Sequence, residues 1–170
     1  MSDPFAYLGP HEEGDELVVR AALPQASRAF VKPRSNGKLA EMERTGDDGV
    51  FEVRLPKTRA APDYVFVVET PGGEHQEFED PYRFGPILGE VDVYLIAEGT
   101  HERLWEVLGS HLKTIDGIDG AVFALWAPNA QRVSVVGDFN HWDGRFHPMR
   151  LLGASGVWEI FVPGVGEGAH

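Results

Sequence analysis

An internal repeat constrains the fold of this 170-residue chain more strongly than any other feature of its sequence. Residues 17–31 align with residues 121–135 at an offset of 104, with identical residues at several matching positions. Residues 42–56 align with residues 149–163 at an offset of 107, from a Met at the start of each segment to a Pro at its end. Because a copied segment folds as a copied unit, the repeat predicts two domains that share one architecture.

Each copy consists of short segments in which apolar and polar residues alternate, the pattern of β-strands with one buried face. The side chains predicted to point inward are Phe51, Val53 and Leu55 in the first copy and Trp158, Ile160 and Val162 in the second. Further strands are predicted at Glu16–Ala21, Arg28–Lys32, Tyr64–Thr70, Ala121–Trp126 and Arg132–Val136. Short alternating strands without cysteines favour an all-β fold of two immunoglobulin-like β-sandwiches in tandem.

A single stretch of the sequence has the pattern of a helix. In Thr100–Gly109, helical spacing would place Leu104, Trp105 and Leu108 on one side, and the closing glycine suits a helix end. The preceding residues 90–97 are compatible with either a strand or a helix. We therefore expect a short helical connector between the two β-domains.

The repeat also sets the expected domain limits. We assign residues 1–105 to an N-terminal β-sandwich and residues 106–170 to a second one. In the second copy, the counterpart of the strand that opens at Tyr64 would begin one residue past the end of the chain, so we expect this sandwich to be incomplete. A missing strand would leave core side chains such as Trp158 and Ile160 uncovered, and uncovered apolar edges favour self-association.

The difference between the two offsets adds three residues to the second copy, and they fall in the segment Gly137–Gly144. This loop is bulky, polar and framed by glycines, and such an insertion is where a copied scaffold would acquire a function. Trp142 and Asn140 suit sugar recognition, because an indole stacks on the apolar face of a glucose ring and an amide bonds its hydroxyls. The alternative is that Trp142 caps the core of the sandwich.

Stacking alone would bind weakly. Covering roughly 100 Å² of apolar surface at about 25 cal/mol per Å² contributes about 2.5 kcal/mol. A millimolar dissociation constant requires about 4.1 kcal/mol, so a second platform is expected. The neighbouring His141 and Asp143 are expected to be solvated loop residues rather than ligands.

The rest of the sequence offers no catalytic or metal-binding constellation. Seven histidines are scattered without the spacing of a metal site. Three acidic pairs are expected to be solvated in loops: Glu12–Glu13, Asp47–Asp48 and Glu79–Asp80. We therefore predict no catalytic residue, no metal ion and no cofactor.

Composition narrows the class of partner and the compartment. The formal net charge of −12 lacks the basic footprint of a nucleic-acid-binding protein. The N-terminus lacks the features of a secretory signal, no apolar run approaches the length of a membrane span, and there is no cysteine. We therefore expect a soluble, cytoplasmic protein that binds neither nucleic acid nor membranes.

Short motifs spread along the whole chain form a specific set. They are Asp3-Pro4-Phe5, Leu8–His11, Asp80–Pro86, Leu88–Glu90, Glu98–His101, Leu104–His111, Phe123–Ala130, Val133–Gly144, His147–Arg150 and Gly156–Glu159. As a set they resemble the N-terminal region of bacterial 1,4-α-glucan (glycogen) branching enzymes. The resemblance implies a first N-terminal sandwich and then a glycogen-binding-type carbohydrate-binding module, truncated at its C-terminal end, ahead of a catalytic (β/α)₈ barrel.

Members of that family cleave an α-1,4 glucan chain and rejoin it as an α-1,6 branch, with an Asp nucleophile and a Glu acid/base in the barrel. A barrel needs about 250 residues, so the resemblance implies that this segment is inactive alone. Its implied partners are α-1,4-glucan or glycogen and the catalytic domain of the parent enzyme. Trp142 matches the Trp of the stacking loop in related modules. For branching enzymes the resemblance implies an alternative, in which the same loop contacts the barrel instead of the sugar. Two alternatives stay open: a stand-alone α-glucan-binding module and a purely structural immunoglobulin-like pair.

Overall fold

The computed structural model describes residues 3–59 and 61–170. The fold is mostly antiparallel β-structure with few helices, as the sequence predicted. The strands of the first copy are β1 (Gly9–Glu13), β2 (Glu16–Ala22), β3 (Arg28–Pro33), β4 (Ala40–Glu41), β5 (Glu43–Arg44), β6 (Val50–Pro56), β7 (Tyr64–Glu69) and β8 (His75–Glu79). They are followed by α1 (Glu90–Glu98), α2 (Leu104–Val107), β9 (Gly109–Ile115), β10 (Ile118–Trp126), β11 (Arg150–Leu151) and β12 (Val157–Pro163). Single turns of 3-10 helix lie at Pro4–Ala6, Pro81–Arg83 and Asp138–Asn140.

The chain forms two compact units. The first comprises Phe5–Arg83, and the second comprises Phe84–His170 together with Asp3 and Pro4. The helical connector therefore groups with the second unit by its contacts. The assignment of residues 1–105 and 106–170 to two domains stays a prediction.

The first unit is a sandwich of two four-stranded sheets, with strand orders β1-β2-β6-β5 and β4-β3-β7-β8. Side chains from both sheets form its apolar core, and the three inward-pointing residues predicted for β6 belong to it. On the opposite face of the same strand, Glu52 pairs with Arg20 of β2 at 2.6 Å. The alternation of the sequence thus separates a buried face from a charged one.

The second unit contains one four-stranded sheet among its described residues, with strand order β11-β12-β10-β9. Its pairing reproduces that of the first unit. Val18 lies opposite Arg54 where β2 pairs with β6, and Val122 lies opposite Phe161 where β10 pairs with β12. These partners differ by the offsets of 104 and 107 found in the sequence, so the sequence repeat is also a structural one.

The structural repeat reaches further toward the N-terminus than the aligned segments. β1 pairs with β2 and β9 pairs with β10 in matching registers, and both edge strands begin inside a Leu-Gly-x-His motif, Leu8–His11 and Leu108–His111. In each motif, the His Nε2 lies 3.0 Å from the backbone oxygen of the Leu. These motifs are separated by a third offset, which hides their relationship in a simple alignment.

Two predicted elements differ in the structure. Arg132–Val136 does not form a strand; Ser134 makes a single bridge with Pro148, and no other described strand pairs with this segment. The helix predicted over Thr100–Gly109 is reduced to the four residues of α2, because β9 begins at the final glycine. Trp105, which the helical pattern placed on the same side as Leu104 and Leu108, is 70% exposed. The longer helix is α1, which covers the residues 90–97 that the sequence left open between strand and helix.

Two predictions about burial were also wrong. Trp158 and Ile160 are 3% and 0% exposed, because β12 is a central strand that is buried on both faces. Asp80 is 1% exposed instead of solvated. It follows β8 directly, where its carboxylate accepts hydrogen bonds from the Tyr64 hydroxyl at 2.5 Å and from the Tyr82 backbone N–H at 2.8 Å.

The two copies differ at the outer face of their central strand pair. In the first unit, Glu52 and Arg20 form a partly exposed ion pair there. The equivalent residue in the second unit is Glu159, which is completely buried. Its partner is Arg150 of β11, whose Nε lies 3.5 Å from the Glu159 carboxylate. A partly exposed ion pair of one copy is thus replaced by a buried one in the other.

This buried pair holds the segment that precedes α1. The two carboxylate oxygens of Glu159 accept the backbone N–H groups of Ile87 and Leu88 at 2.8 and 2.9 Å. Arg150 donates to the backbone oxygen of Phe84 at 2.7 Å, and the Phe84 ring packs edge-on against Phe161. The chain before α1 is therefore an integral layer of the second unit.

We predict that Glu159→Ala lowers the free energy of unfolding of the second unit by about 3–5 kcal/mol, because it removes the carboxylate that neutralises a buried guanidinium. All four tryptophans lie in this unit, so urea unfolding followed by tryptophan fluorescence measures its stability. Glu52→Ala is the matched control, with an expected loss of about 1 kcal/mol from the partly exposed pair. The stability of the first unit, which carries Glu52→Ala, is measured by far-UV circular dichroism. Equal losses of unfolding free energy for the two variants would contradict the prediction.

Burial raises the pKa of Asp80 to about 6, from an ordinary 3.8. A raised carboxyl pKa favours the protonated folded form, so this contribution to stability is present at low pH and is lost as the pH rises through about 6. Relative to Asp80→Asn, the wild-type first unit should lose up to about 3 kcal/mol of unfolding free energy between about pH 4 and pH 7. Urea unfolding by far-UV circular dichroism tests this, and a wild-type-to-variant difference that does not change with pH would contradict it.

Candidate carbohydrate-binding loop

A buried asparagine holds the loop Gly137–Gly144 from beneath. Asn140 closes the 3-10 turn and is only 3% exposed. Its Oδ1 accepts the backbone N–H of Gly137 at 2.9 Å, and its Nδ2 donates to the backbone oxygen of Val135 at 2.9 Å. The same Nδ2 lies 2.9 Å from Nδ1 of His147. The amide therefore ties the turn to the segments that precede and follow the loop.

His147 is neutral in this arrangement. An amide nitrogen only donates, so Nδ1 of His147 acts as the acceptor and the ring proton lies on Nε2. Burial lowers the pKa of His147 to about 4, from an ordinary 6.5. The imidazole packs edge-on against Phe139 with centroids 5.7 Å apart, and Phe139 stacks on Phe123 of β10 at 6.5 Å. These rings connect the loop to the sheet.

Trp142 lies on the outside of the loop. His141 and Trp142 both have left-handed backbone conformations, with φ of 54° and 59°. Each such residue costs about 1–2 kcal/mol, which the surrounding hydrogen bonds must offset. The Trp142 backbone N–H donates to the Gly137 oxygen at 2.9 Å, and the indole Nε1 donates to Oδ1 of Asp138 at 2.8 Å. The side chain is 60% exposed, so Trp142 does not cap the sandwich core.

The charged side chains at the rim of the loop are paired locally. Arg145 donates to both carboxylate oxygens of Asp143, at distances between 2.6 and 3.0 Å. These hydrogen bonds hold the pKa of Asp143 at about 2. Arg132 donates to the backbone oxygen of Gly144 at 2.8 Å, which fixes the end of the loop. The rim thus combines one carboxylate–guanidinium pair with a main-chain anchor.

The structure gives the two predicted site residues different positions in one loop. Trp142 presents its ring to solvent, whereas Asn140 lies beneath it with its amide bonded within the protein. Asp138 and His147, which contact these two residues, were not singled out from the sequence. The four-residue spacing of Asp138 and Trp142 across a tight turn is a usable signal, but the contact of His147 with Asn140 follows only from the folded loop.

Two simple patterns, a metal-ligand cluster and a membrane-spanning helix, are absent from the described part of the chain. In residues 3–59 and 61–170, no group of three or more His, Asp or Glu side chains is arranged to hold a metal ion. Within the same ranges, no helix has both the length and the apolar character to cross a membrane. The exposed indole is the feature that the loop offers to a ligand.

Two families match the chain in succession. Residues 1–82 match the family described as alpha-1,4-glucan branching enzyme GlgB, N-terminal domain. Residues 107–170 match carbohydrate-binding module 48, described as the isoamylase N-terminal domain. The loop Gly137–Gly144 falls within the second match. The two matches correspond to the first and second copies of the repeat.

Curated relatives agree with these matches. The chain is 52% identical over 167 residues to the 1,4-alpha-glucan branching enzyme GlgB of Paramagnetospirillum magneticum, covering 98% of this chain and 22% of the relative. It is 51% identical over 168 residues to the enzyme of the same name from Myxococcus xanthus, covering 99% of this chain and 23% of the relative. The chain thus spans about a fifth of the length of the curated relatives it matches.

Similarity to solved structures is low. Apo pullulanase from Paenibacillus barengoltzii matches with a TM-score of 0.38 and 20% identity, over 65% of this chain and 18% of its own. The catalytic module of the pneumococcal protein SpuA matches with a TM-score of 0.35 and 23% identity, over 44% of this chain and 12% of its own. TM-scores at this level do not establish a shared overall fold.

The lowered pKa of His147 predicts that acid weakens the second unit. Because the unfolded chain takes up a proton near pH 6.5 and the folded loop only near about pH 4, stability is lost as the pH falls through this window. Relative to His147→Gln, the wild type should lose roughly 2 kcal/mol of unfolding free energy between about pH 7 and pH 5. Urea unfolding by tryptophan fluorescence measures the difference. If the difference stayed constant over this range, His147 would not be the titrating group.

Proposed function

Because the chain belongs to the N-terminal region of the 1,4-alpha-glucan branching enzymes, we propose that it docks α-1,4-glucan through the Trp142 loop of its second unit. In this proposal the segment is non-catalytic. The parent enzyme would cleave α-1,4 glucan chains and transfer them to form α-1,6 branches, with the chemistry in a part of the enzyme outside this chain. The cytoplasmic location expected from the sequence belongs to the same proposal.

The exposed indole of Trp142 is the observation on which glucan docking rests. It is 60% exposed and is held by hydrogen bonds at both its backbone and its ring nitrogen. A flat apolar face held ready at the surface suits the apolar face of a glucose ring, which pairs with aromatic side chains in this way. Because the loop is ordered before binding, little conformational entropy is lost when the sugar arrives.

Asn140 acts in this proposal as a positioning residue rather than as a sugar ligand. Its amide bonds Gly137, Val135 and His147, and its side chain lies beneath the loop surface. To bond a sugar hydroxyl, the amide would have to give up bonds that shape the turn. The Asn of the Trp-Asn pair expected from the sequence therefore contributes to binding through the shape of the loop.

Support of the catalytic domain is the second role that we assign to the chain. The segment that precedes α1, residues 84–88, is fixed to the rest of the second unit by the buried pair of Glu159 and Arg150. A unit fixed in this way can transmit a defined geometry to neighbouring parts of a longer enzyme. Exposed apolar side chains are concentrated in the second unit, which suits a unit that packs against other parts of its enzyme.

We expect Trp142→Ala to weaken binding to glycogen by about 1–3 kcal/mol, because one aromatic stacking face is lost. Affinity electrophoresis in gels that contain glycogen measures the change in retention. Trp126→Ala is the matched control, since Trp126 is 54% exposed, lies outside the loop and bonds the Ser155 backbone oxygen through its Nε1. The control should keep its retention, and both variants should keep the wild-type far-UV spectrum.

The same experiment separates the alternatives. Retention of the wild type without an effect of Trp142→Ala would remove the loop from the binding surface and favour its use as a contact to the catalytic domain. No retention of the wild type would favour a purely structural pair of sandwiches. Binding that depends on Trp142 supports docking, both for the parent enzyme and for a stand-alone glucan-binding module.

A further inference from the structure

We propose that Asp138 is a positioning residue that sets the orientation of the Trp142 indole for stacking on glucan. This inference rests on the proposed function of the loop. Asp138 opens the 3-10 turn and Trp142 follows four residues later, after the chain has reversed through His141. The turn therefore brings the Asp138 carboxylate to the edge of the indole, where Oδ1 accepts the Nε1 hydrogen at 2.8 Å.

The remaining contacts of the loop fix its backbone but not the indole. The Trp142 N–H bonds the Gly137 oxygen, and Asn140 bonds the Gly137 N–H from beneath. The side chain is 60% exposed, so packing covers less than half of it and restrains its torsions only in part. The bond from Nε1 to Asp138 adds a restraint at the ring itself, and its acceptor is a carboxylate, which makes it a charge-assisted hydrogen bond.

This bond also determines which part of the indole is offered to a sugar. The indole has a single polar atom that can donate, and that atom is already bonded to Asp138. A glucose ring is then bound through the apolar face of the indole and not through its N–H. Asp138 thus acts on binding through Trp142, without touching the sugar itself.

Two other roles for Asp138 make different predictions. If the carboxylate bonded a sugar hydroxyl directly, its removal would weaken binding whatever residue occupied position 142. If it were needed for the fold of the loop, its removal would disturb the bonds of Asn140 and the stability of the unit. A positioning role requires an effect that depends on the indole N–H and leaves the rest of the unit unchanged.

A double-mutant cycle in the full chain separates these roles. Asp138→Ala should weaken glycogen retention by about two- to tenfold. This is the range expected when one side chain, here the Trp142 indole, has to become ordered on binding. Asp138→Asn retains an oxygen acceptor and should stay within about twofold of the wild type on the same scale. In a Trp142→Phe background, which keeps an aromatic face but has no N–H, Asp138→Ala should have no further effect. Asp47→Ala, an exposed carboxylate of the first unit, is the matched control.

A spectroscopic measurement gives a second readout that does not need a ligand. The ¹⁵N-labelled chain has four indole N–H groups, and Trp142→Phe assigns the signal of Trp142 by its loss. Asp138→Ala should shift this signal and speed its exchange with water, while the other three stay in place. Asp138→Asn should keep it close to the wild-type position.

The outcomes distinguish failure of this inference from failure of the proposed function. If Trp142→Ala leaves retention unchanged, glucan docking by the loop fails, and with it the stacking role assigned to Asp138, even if the indole signal still reports the hydrogen bond. If Trp142→Ala weakens retention but Asp138→Ala does not, docking stands and the positioning role is overturned. An equal effect of Asp138→Ala in the Trp142 and Phe backgrounds, or an unmoved indole signal, also overturns it.

Discussion

The antiparallel pairing of β2 with β6 in the first unit, and of β10 with β12 in the second, is the interaction on which the rest of the structure depends. It is copied in register between the units, so the same cross-strand partners recur at fixed offsets. A slip of one residue would exchange the two faces of the slipped strand, which explains why the register is kept while the side chains differ. With that frame fixed, three extra residues could be accommodated in one loop of the second copy without disturbing the sheet.

Identical pairing leaves the outer faces of the two sheets free to diverge. Glu52 and Glu159 occupy the same position, yet one pairs at a partly exposed surface and the other is buried beneath the chain that precedes α1. Burying a carboxylate is unfavourable unless every oxygen is satisfied, and Glu159 meets this condition with two backbone N–H groups and Arg150. The buried pair therefore selects one arrangement of the connector, since other arrangements would leave these groups without hydrogen bonds.

The sequence predicted those features that depend on residues close together in the chain or on the repeat. The strand faces of β6 and the all-β class follow from alternation, and the position of the candidate binding loop follows from the change in offset. The sequence did not predict features that depend on distant partners. Asp80 is predicted to be a solvated loop carboxylate, because its hydrogen-bond donor Tyr64 lies 16 residues away in the chain. The residue type of Asn140 predicts a sugar ligand, whereas its bonds to Val135 and His147 are visible only in the folded loop.

The closed loop also limits the class of ligand that it suits. The Asp143 carboxylate is bonded to Arg145, and the Asp138 carboxylate is bonded to the Trp142 indole. The Asn140 amide is bonded beneath the surface. What faces outward is an apolar ring in a chain whose net charge is −12, so an anionic ligand would meet repulsion and no matched cation at the indole. In the proposed function, a neutral polyhydroxylated chain would meet no such repulsion, and its ring faces would bury apolar surface against the indole. Since one stacked ring contributes only about 2.5 kcal/mol, such a loop serves best as one of several weak contacts along a long polymer.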